Sequence, residues 1–279
     1  ITFTITFTIT FHYIIYFLGS LSNTILIYAM IPFLARNMSV VEFGQYVIIQ
    51  LFTGAVGAFF YFGLSSVLTR HYYDYTNHVE LKSFNSTGLF FLIAGASLQN
   101  IVAYHIVDEL AVYLFNSELG SEAIKIALYA TSFMIFNTYL SVLLRFNDRS
   151  IAFASSNLVG AVIATTFIII KSVHGSVELS TPFYAILSGQ ATVFLINLTL
   201  CRKYLSITYL DEYLRKYTKY AYKSVLSGVL LLLLTTLDRF AINKYLGAFD
   251  VAIYSMAFML SATFTVFVMT PFDQVYAPM

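Results

Sequence analysis

Val225-Leu-Ser-Gly-Val-Leu-Leu-Leu-Leu-Leu-Thr-Thr-Leu237 runs thirteen residues without a charge and then meets Asp238-Arg239. Thirteen residues make about 20 Å of helix, whereas the hydrocarbon core of a bilayer is about 30 Å thick. A helix built on this run either ends inside a soluble core or continues through Asp238 and Arg239 to cross a membrane. The rest of the chain chooses between them. Of 279 residues, 59% are hydrophobic and only 10% are charged, with a mean hydropathy of +0.78. A soluble domain carries about 25% charged residues. That leaves too little polar surface to wet a globule of this size, which excludes a soluble enzyme.

The same criterion, roughly 20 mainly apolar residues per span, finds eight windows: 12–34, 46–69, 86–106, 123–144, 151–170, 182–201, 224–246 and 251–272. The expected fold is an all-α polytopic membrane protein with eight transmembrane helices. Residues 1–11 open on Ile-Thr-Phe-Thr alternation, which would suit a strand but finds no sheet to join, and are read as a low-complexity leader. The net charge of +1 gives no field for nucleic acid, and the single cysteine, Cys201, excludes a disulfide framework.

Basic residues set the orientation. With a cytoplasmic amino terminus, the inner connections hold Arg70, Lys82, Arg145, Arg149, Arg202, Lys203, Arg215, Lys216, Lys219 and Lys223, and the outer ones hold Arg36, Lys125, Lys171 and Lys244. Ten against four places the amino terminus inside. Asp108, Glu109, Glu118 and Glu122 gather in one outer loop. Within the longest connection, Tyr209, Leu210, Tyr213, Leu214, Tyr217 and Tyr220 form a helical stripe opposite Arg215, Lys216 and Lys219. Such a basic amphipathic helix is expected to lie flat on the membrane. It divides a first six-helix lobe (12–201) from a linker (202–223) and the truncated start of a second lobe (224–279).

Arg36, Glu42 and Tyr46 after the first span are echoed by Lys244, Asp250 and Tyr254 after the seventh, all at an offset of 208. Both sets fall in an outer connection, so the repeat is parallel, with its axis along the membrane normal.

No Gly-rich phosphate loop, His-Glu-x-x-His or Gly-x-Ser-x-Gly is present, so the chain is read as neither an ATPase motor nor an enzyme, and nothing calls for a cofactor. The five histidines lack ligand spacing, so no metal is called for either. Small residues such as Gly57, Gly63, Gly95 and Gly160 suit close helix packing. Asn23, Gln50, Gln99, Asn100, Asn137, Asn157, Gln190 and Asn197 stand at membrane depth and together point to a wet interior for a hydrophilic cargo; Gln50 and Asn157 are assigned to its path. Asp238 and Arg239 are the strongest signal. A central acid or arginine costs roughly 2.5–3.5 kcal/mol on insertion scales and usually faces a cavity or the bundle interior.

Several stretches resemble the polysaccharide biosynthesis flippases, the O-antigen type of the multidrug/oligosaccharidyl-lipid/polysaccharide exporter superfamily. They are Glu42-Phe43-Gly44-Gln45-Tyr46, Phe62-Gly63-Leu64 with Thr69-Arg70, Asp238-Arg239-Phe240, Leu246-Gly247 and Ile253-Tyr254-Ser255. The resemblance implies two six-helix lobes around a cavity and alternating access. The implied cargo is an undecaprenyl-diphosphate-linked glycan, carried from the cytoplasmic to the periplasmic leaflet of a bacterial inner membrane, alongside other polysaccharide assembly proteins. Eight spans depart from the family's twelve to fourteen, as a first lobe plus two helices would. In that setting Arg239, with Arg70 and Arg145 at the inner mouths of spans two and four, would form a cationic route, because the planar guanidinium binds phosphate bidentately. Rival readings are a multidrug exporter of the same superfamily, which an acidic cavity would favour, and a membrane glycosyltransferase or O-antigen polymerase built around Asp108-Glu109.

Overall fold

Ser39 starts the first long helix. Its hydroxyl accepts from the Glu42 N–H at 3.2 Å, and the Glu42 carboxylate accepts from the Ser39 N–H at 2.8 Å, a reciprocal capping box that opens α1 (Val40–Phe60). Glu42, expected in an outer loop, therefore belongs to the first turn of a helix. The structure, a computed structural model, describes residues 15, 30, 33–75, 77–115, 120–175, 177–206 and 211–264. The leader at 1–11, nearly all of the first expected span with Asn23, and the eighth expected span past residue 264 lie outside the described residues.

The second expected span, 46–69, falls within the apolar segment Val40–Asp74, and that segment is broken near its middle. α1 stops at Phe60, Phe62 and Gly63 turn left-handed (φ 54° and 59°), and α2 (Leu64–His71) resumes. Phe62 N–H donates to Phe59 and Leu64 N–H to Tyr61, each one residue short of the helical ladder. The Phe62 ring seats 5.0 Å from that of Phe91, over Gly95, where a Cβ would come within 2.9 Å of it. Gly63 thus serves a left-handed backbone rather than helix packing.

Six further helices follow: α3 (His78–Phe115), α4 (Ser121–Phe146), α5 (Ser150–Val173), α6 (Thr181–Cys201), α7 (Asp211–Tyr245) and α8 (Ala248–Phe264). At 38 residues α3 is about 57 Å long and reaches well past any hydrocarbon core. No strand occurs among the described residues. Among the described residues five segments are long and apolar enough to cross a membrane, Val40–Asp74, His78–Phe115, Ser121–Phe146, Ser150–Val173 and Thr181–Tyr204, and Ala248–Met259 is a shorter apolar helix. The chain is an all-α polytopic membrane protein.

α4 is the most enclosed of these helices. α5 and α6 touch backbone to backbone, because Gly160 and Gly189 face each other and a Cβ on Gly189 would stand 2.6 Å from the Gly160 carbonyl. The core separates into two apolar clusters. One, toward the end expected to be outer, gathers Phe43, Ile48, Val107, Ile124, Phe183 and Val251. The other, toward the inner end, gathers Leu68, Phe84, Leu92, Tyr139, Leu143 and Tyr217.

The linker departs from its expected place on the lipid surface. From Tyr213 onward its helical stripe belongs to the 35-residue α7, continuous with the seventh expected span, while Tyr209 and Leu210 lie outside the described residues. Tyr213 and Tyr217 are buried in the inner cluster, where the Tyr217 ring stacks 4.9 Å from Phe84 and its hydroxyl lies 3.1 Å from that of Tyr139. Gly88 makes the room, since a Cβ there would strike both hydroxyls. Protein aromatics, not lipid, cover the stripe. Lys216 donates to the Tyr75 hydroxyl at 2.9 Å, and that bond holds its ammonium above the usual lysine range.

Candidate functional site

Between the two clusters lies a cavity of about 450 Å³, walled by α1, α4, α5 and α6. Small residues open it: Gly54, Gly57 and Ala58 on α1 and Ala130 on α4. Its aromatic wall is Tyr46, Tyr61 and Phe183, with the Tyr46 and Phe183 rings 5.3 Å apart. Its polar atoms come from all four helices. Gln50 contributes a side-chain amide that makes no hydrogen bond with a described residue, and Asn157 and Gln190 contribute theirs from α5 and α6. Asn157 Nδ2 donates to the Phe153 carbonyl at 2.8 Å, which leaves Oδ1 as an acceptor. Gln190 Oε1 accepts from Asn137 at 2.8 Å, which leaves Nε2 as a donor. Thr53, Thr131 and Thr138 donate back to Ile49, Ala127 and Met134 at 2.8–2.9 Å, so their oxygens can only accept from a ligand. No charged side chain lines the cavity among the described residues.

The break at Tyr61–Gly63 reaches the same space. Because Phe62 bonds to Phe59 and Leu64 to Tyr61, the carbonyls of Ala58 and Phe60 lose their ladder donors. Irregular backbone at membrane depth is tolerated where it is buried in protein or lines a polar cavity. Ala58 and Tyr61 are both lining residues.

Gln50 and Asn157 are therefore brought together in one place. The other four expected cargo residues stand elsewhere. Arg70 is exposed near the end of α2, and Arg145, in the last turn of α4, stacks 5.7 Å from the Phe153 ring and within electrostatic reach of Tyr61. Both lie at the inner end. Arg239 lies toward the outer end of α7, where Phe240 and Ile242 pack on the outer cluster. Its guanidinium is buried to 4% exposure and sits 3.9 Å over the Phe258 ring. Its neighbour Asp238 is exposed on another face and accepts from the Tyr254 hydroxyl at 2.5 Å. The three arginines form no continuous route in this arrangement.

The repeat aligns these two places. α1 begins at Val40 and α8 at Ala248, 208 residues apart, with Glu42 and Asp250 each third in its helix. The first turns of the two helices meet, for a Cβ on Gly44 would overlap the Ala248 carbonyl. Both helices thus start from one end of the bundle. At the same offset Met30 matches Asp238, Tyr46 matches Tyr254 and Gln50 matches Phe258.

A family of polysaccharide biosynthesis proteins matches residues 33–279. The chain belongs to that family. No curated protein and no solved structure matches it. As a polysaccharide biosynthesis protein with several apolar spans, it acts in polysaccharide biosynthesis or transport as a multi-pass membrane protein.

Not all of the polar residues at membrane depth belong to the cavity. Gln99 and Asn100 bind Ser132 at 3.3 and 3.1 Å and tie α3 to α4. Asn137 ties α4 to α6 through Gln190. Tyr46, Thr53, Tyr61 and Gln190 went unassigned by sequence reasoning. The signal was the run Gln50, Thr53, Gly54, Gly57, Ala58, Tyr61 at helical spacing, small or polar throughout within an apolar window.

Proposed function

We propose that this protein is a flippase that carries undecaprenyl-diphosphate-linked oligosaccharide units, of O-antigen or capsule type, from the cytoplasmic to the periplasmic leaflet of a bacterial inner membrane. It works by alternating access, with its amino terminus in the cytoplasm, as a carrier rather than an enzyme, alongside other polysaccharide assembly proteins and without nucleic acid. The observation that supports it most is a cavity with neutral polar groups on a largely apolar wall, set among the apolar helices of a polysaccharide biosynthesis protein. A glycan has many hydroxyls to shield from about 30 Å of hydrocarbon, and a polar interior is what that crossing requires. Arg239 serves the diphosphate, its guanidinium offering a bidentate fork. In the arrangement seen it is shut against Phe258 of α8, and parting α7 from α8 would open it.

The test is translocation in liposomes holding the full-length protein. Undecaprenyl-diphosphate-linked oligosaccharide should cross faster than in protein-free vesicles, and an organic dye cation should not. Efflux of the dye without movement of the glycolipid would favour the multidrug exporter instead.

A further inference from the structure

We infer that the cavity between α1, α4, α5 and α6 is a binding site for an uncharged sugar ring, and that the charged end of the cargo is held elsewhere. The inference rests on the flippase reading for its cargo, but its chemistry rests on the cavity alone. Its volume, about 450 Å³, falls within the roughly 300–1,000 Å³ of small-molecule sites.

The polar inventory is neutral and mixed. Gln50 can donate and accept, Gln190 Nε2 donates, and Asn157 Oδ1 and the hydroxyl oxygens of Thr53 and Thr138 accept. Vicinal hydroxyls, each both donor and acceptor, satisfy such a set. A diphosphate, which only accepts, would meet these oxygens without a cation to balance its charge. Tyr46, Tyr61 and Phe183 supply flat apolar faces for the carbon-bound face of a ring, with phenolic oxygens at two edges. The repeat points the same way. Where the second copy places Asp238, the first places Met30, which lines the cavity. At this one position the first copy is uncharged and the second is acidic.

Two substitutions make this testable. Residues 1–279 contain no tryptophan, so Met134→Trp, made in a background where any tryptophan outside them is replaced by phenylalanine, installs a single reporter on the cavity wall at an already exposed position. A Cβ at Gly54 meets nothing within 4 Å, so the side chain of Gly54→Phe starts in open space on the cavity wall and takes up cavity volume. In the full-length, purified Met134→Trp protein, the neutral disaccharide N,N′-diacetylchitobiose should shift the indole emission saturably, and inorganic pyrophosphate should not. Adding Gln50→Ala should weaken the disaccharide about fivefold to tenfold, the loss expected for one hydrogen-bonding amide. Adding Gly54→Phe should abolish the shift while the melting temperature holds. An equal or larger response to pyrophosphate, or a disaccharide response absent or indifferent to both substitutions, overturns the inference.

Glycolipid translocation separates this from the flippase reading. Disaccharide binding in a protein that moves no glycolipid would remove the flippase and leave the sugar site. Translocation undiminished by Gly54→Phe, in normally inserted protein, would remove the sugar site and leave the flippase.

Discussion

α1 and α8 begin 208 residues apart, each with an acid third in the helix and a tyrosine four residues later, yet the two tyrosines keep different company. Tyr46 is buried against Phe183 and faces a neutral cavity, and its hydroxyl makes no hydrogen bond with a described residue. Tyr254 is partly exposed and donates to Asp238, beside an arginine packed on Phe258. The shared features are those that start a helix, since an acid in the first turn complements the exposed N–H groups and the positive end of the dipole. The features that differ are Met30 against Asp238 and Gln50 against Phe258, the positions that the proposed function and the proposed sugar site draw on. Register was kept and chemistry was not, as expected when function resides in sites placed on a fold.

The harshest challenge to this pairing is Gly44→Ala. The new Cβ collides with a backbone carbonyl of the other copy, and neither side can move away as a side chain would. A loss of about 2–3 kcal/mol is expected, typical of overpacking, read as a lowered melting temperature in detergent. A wild-type melt would mean that the two first turns are not pressed together.

The tyrosines should differ next. Tyr254→Phe removes a hydrogen bond to a carboxylate and is expected to lose about 1.5 kcal/mol. Tyr46→Phe removes a hydroxyl with no described partner and should stay within about 0.5 kcal/mol. Equal losses by thermal melting would erase the contrast between the copies. The smallest effect belongs to Gly54→Ala, whose Cβ enters open space. Helix propensity should leave it neutral or more stable by up to about 1 kcal/mol, and a clear loss would show that α1 is closed upon there.

The expected spans at 123–144, 151–170 and 182–201 are matched by α4, α5 and α6, because hydropathy at membrane depth depends on little beyond length and charge. The break at Tyr61–Gly63 was not legible. Tyr-Phe-Gly in an apolar run reads as helix, and only the seat for Phe62 over Gly95 makes the left-handed turn worthwhile. Nor does an aromatic stripe such as Tyr213 and Tyr217 say whether lipid or protein will cover it; that depended on Phe84, Tyr139 and the gap at Gly88. Gln50 and Asn157 stood out as amides in apolar windows, whereas Thr53 and Tyr61 are ordinary in a membrane helix and became cavity residues only through packing. Arg70 and Arg145 follow from the rule that orients the chain, which explains why they share an end with each other and not with Arg239.

Arg239 carries the claim that the second copy serves the anionic part of the cargo. The direct measurement is translocation of undecaprenyl-diphosphate-linked glycan by the full-length protein, normalised to the amount inserted in the membrane. Arg239→Lys keeps the charge and loses the fork, and partial activity is expected. Arg239→Ala should insert normally and lose at least about tenfold in specific activity, the loss of one charge-assisted contact. Wild-type specific activity for Arg239→Ala, with any deficit confined to the amount of inserted protein, would contradict the account and return this arginine to a packing role between α7 and α8.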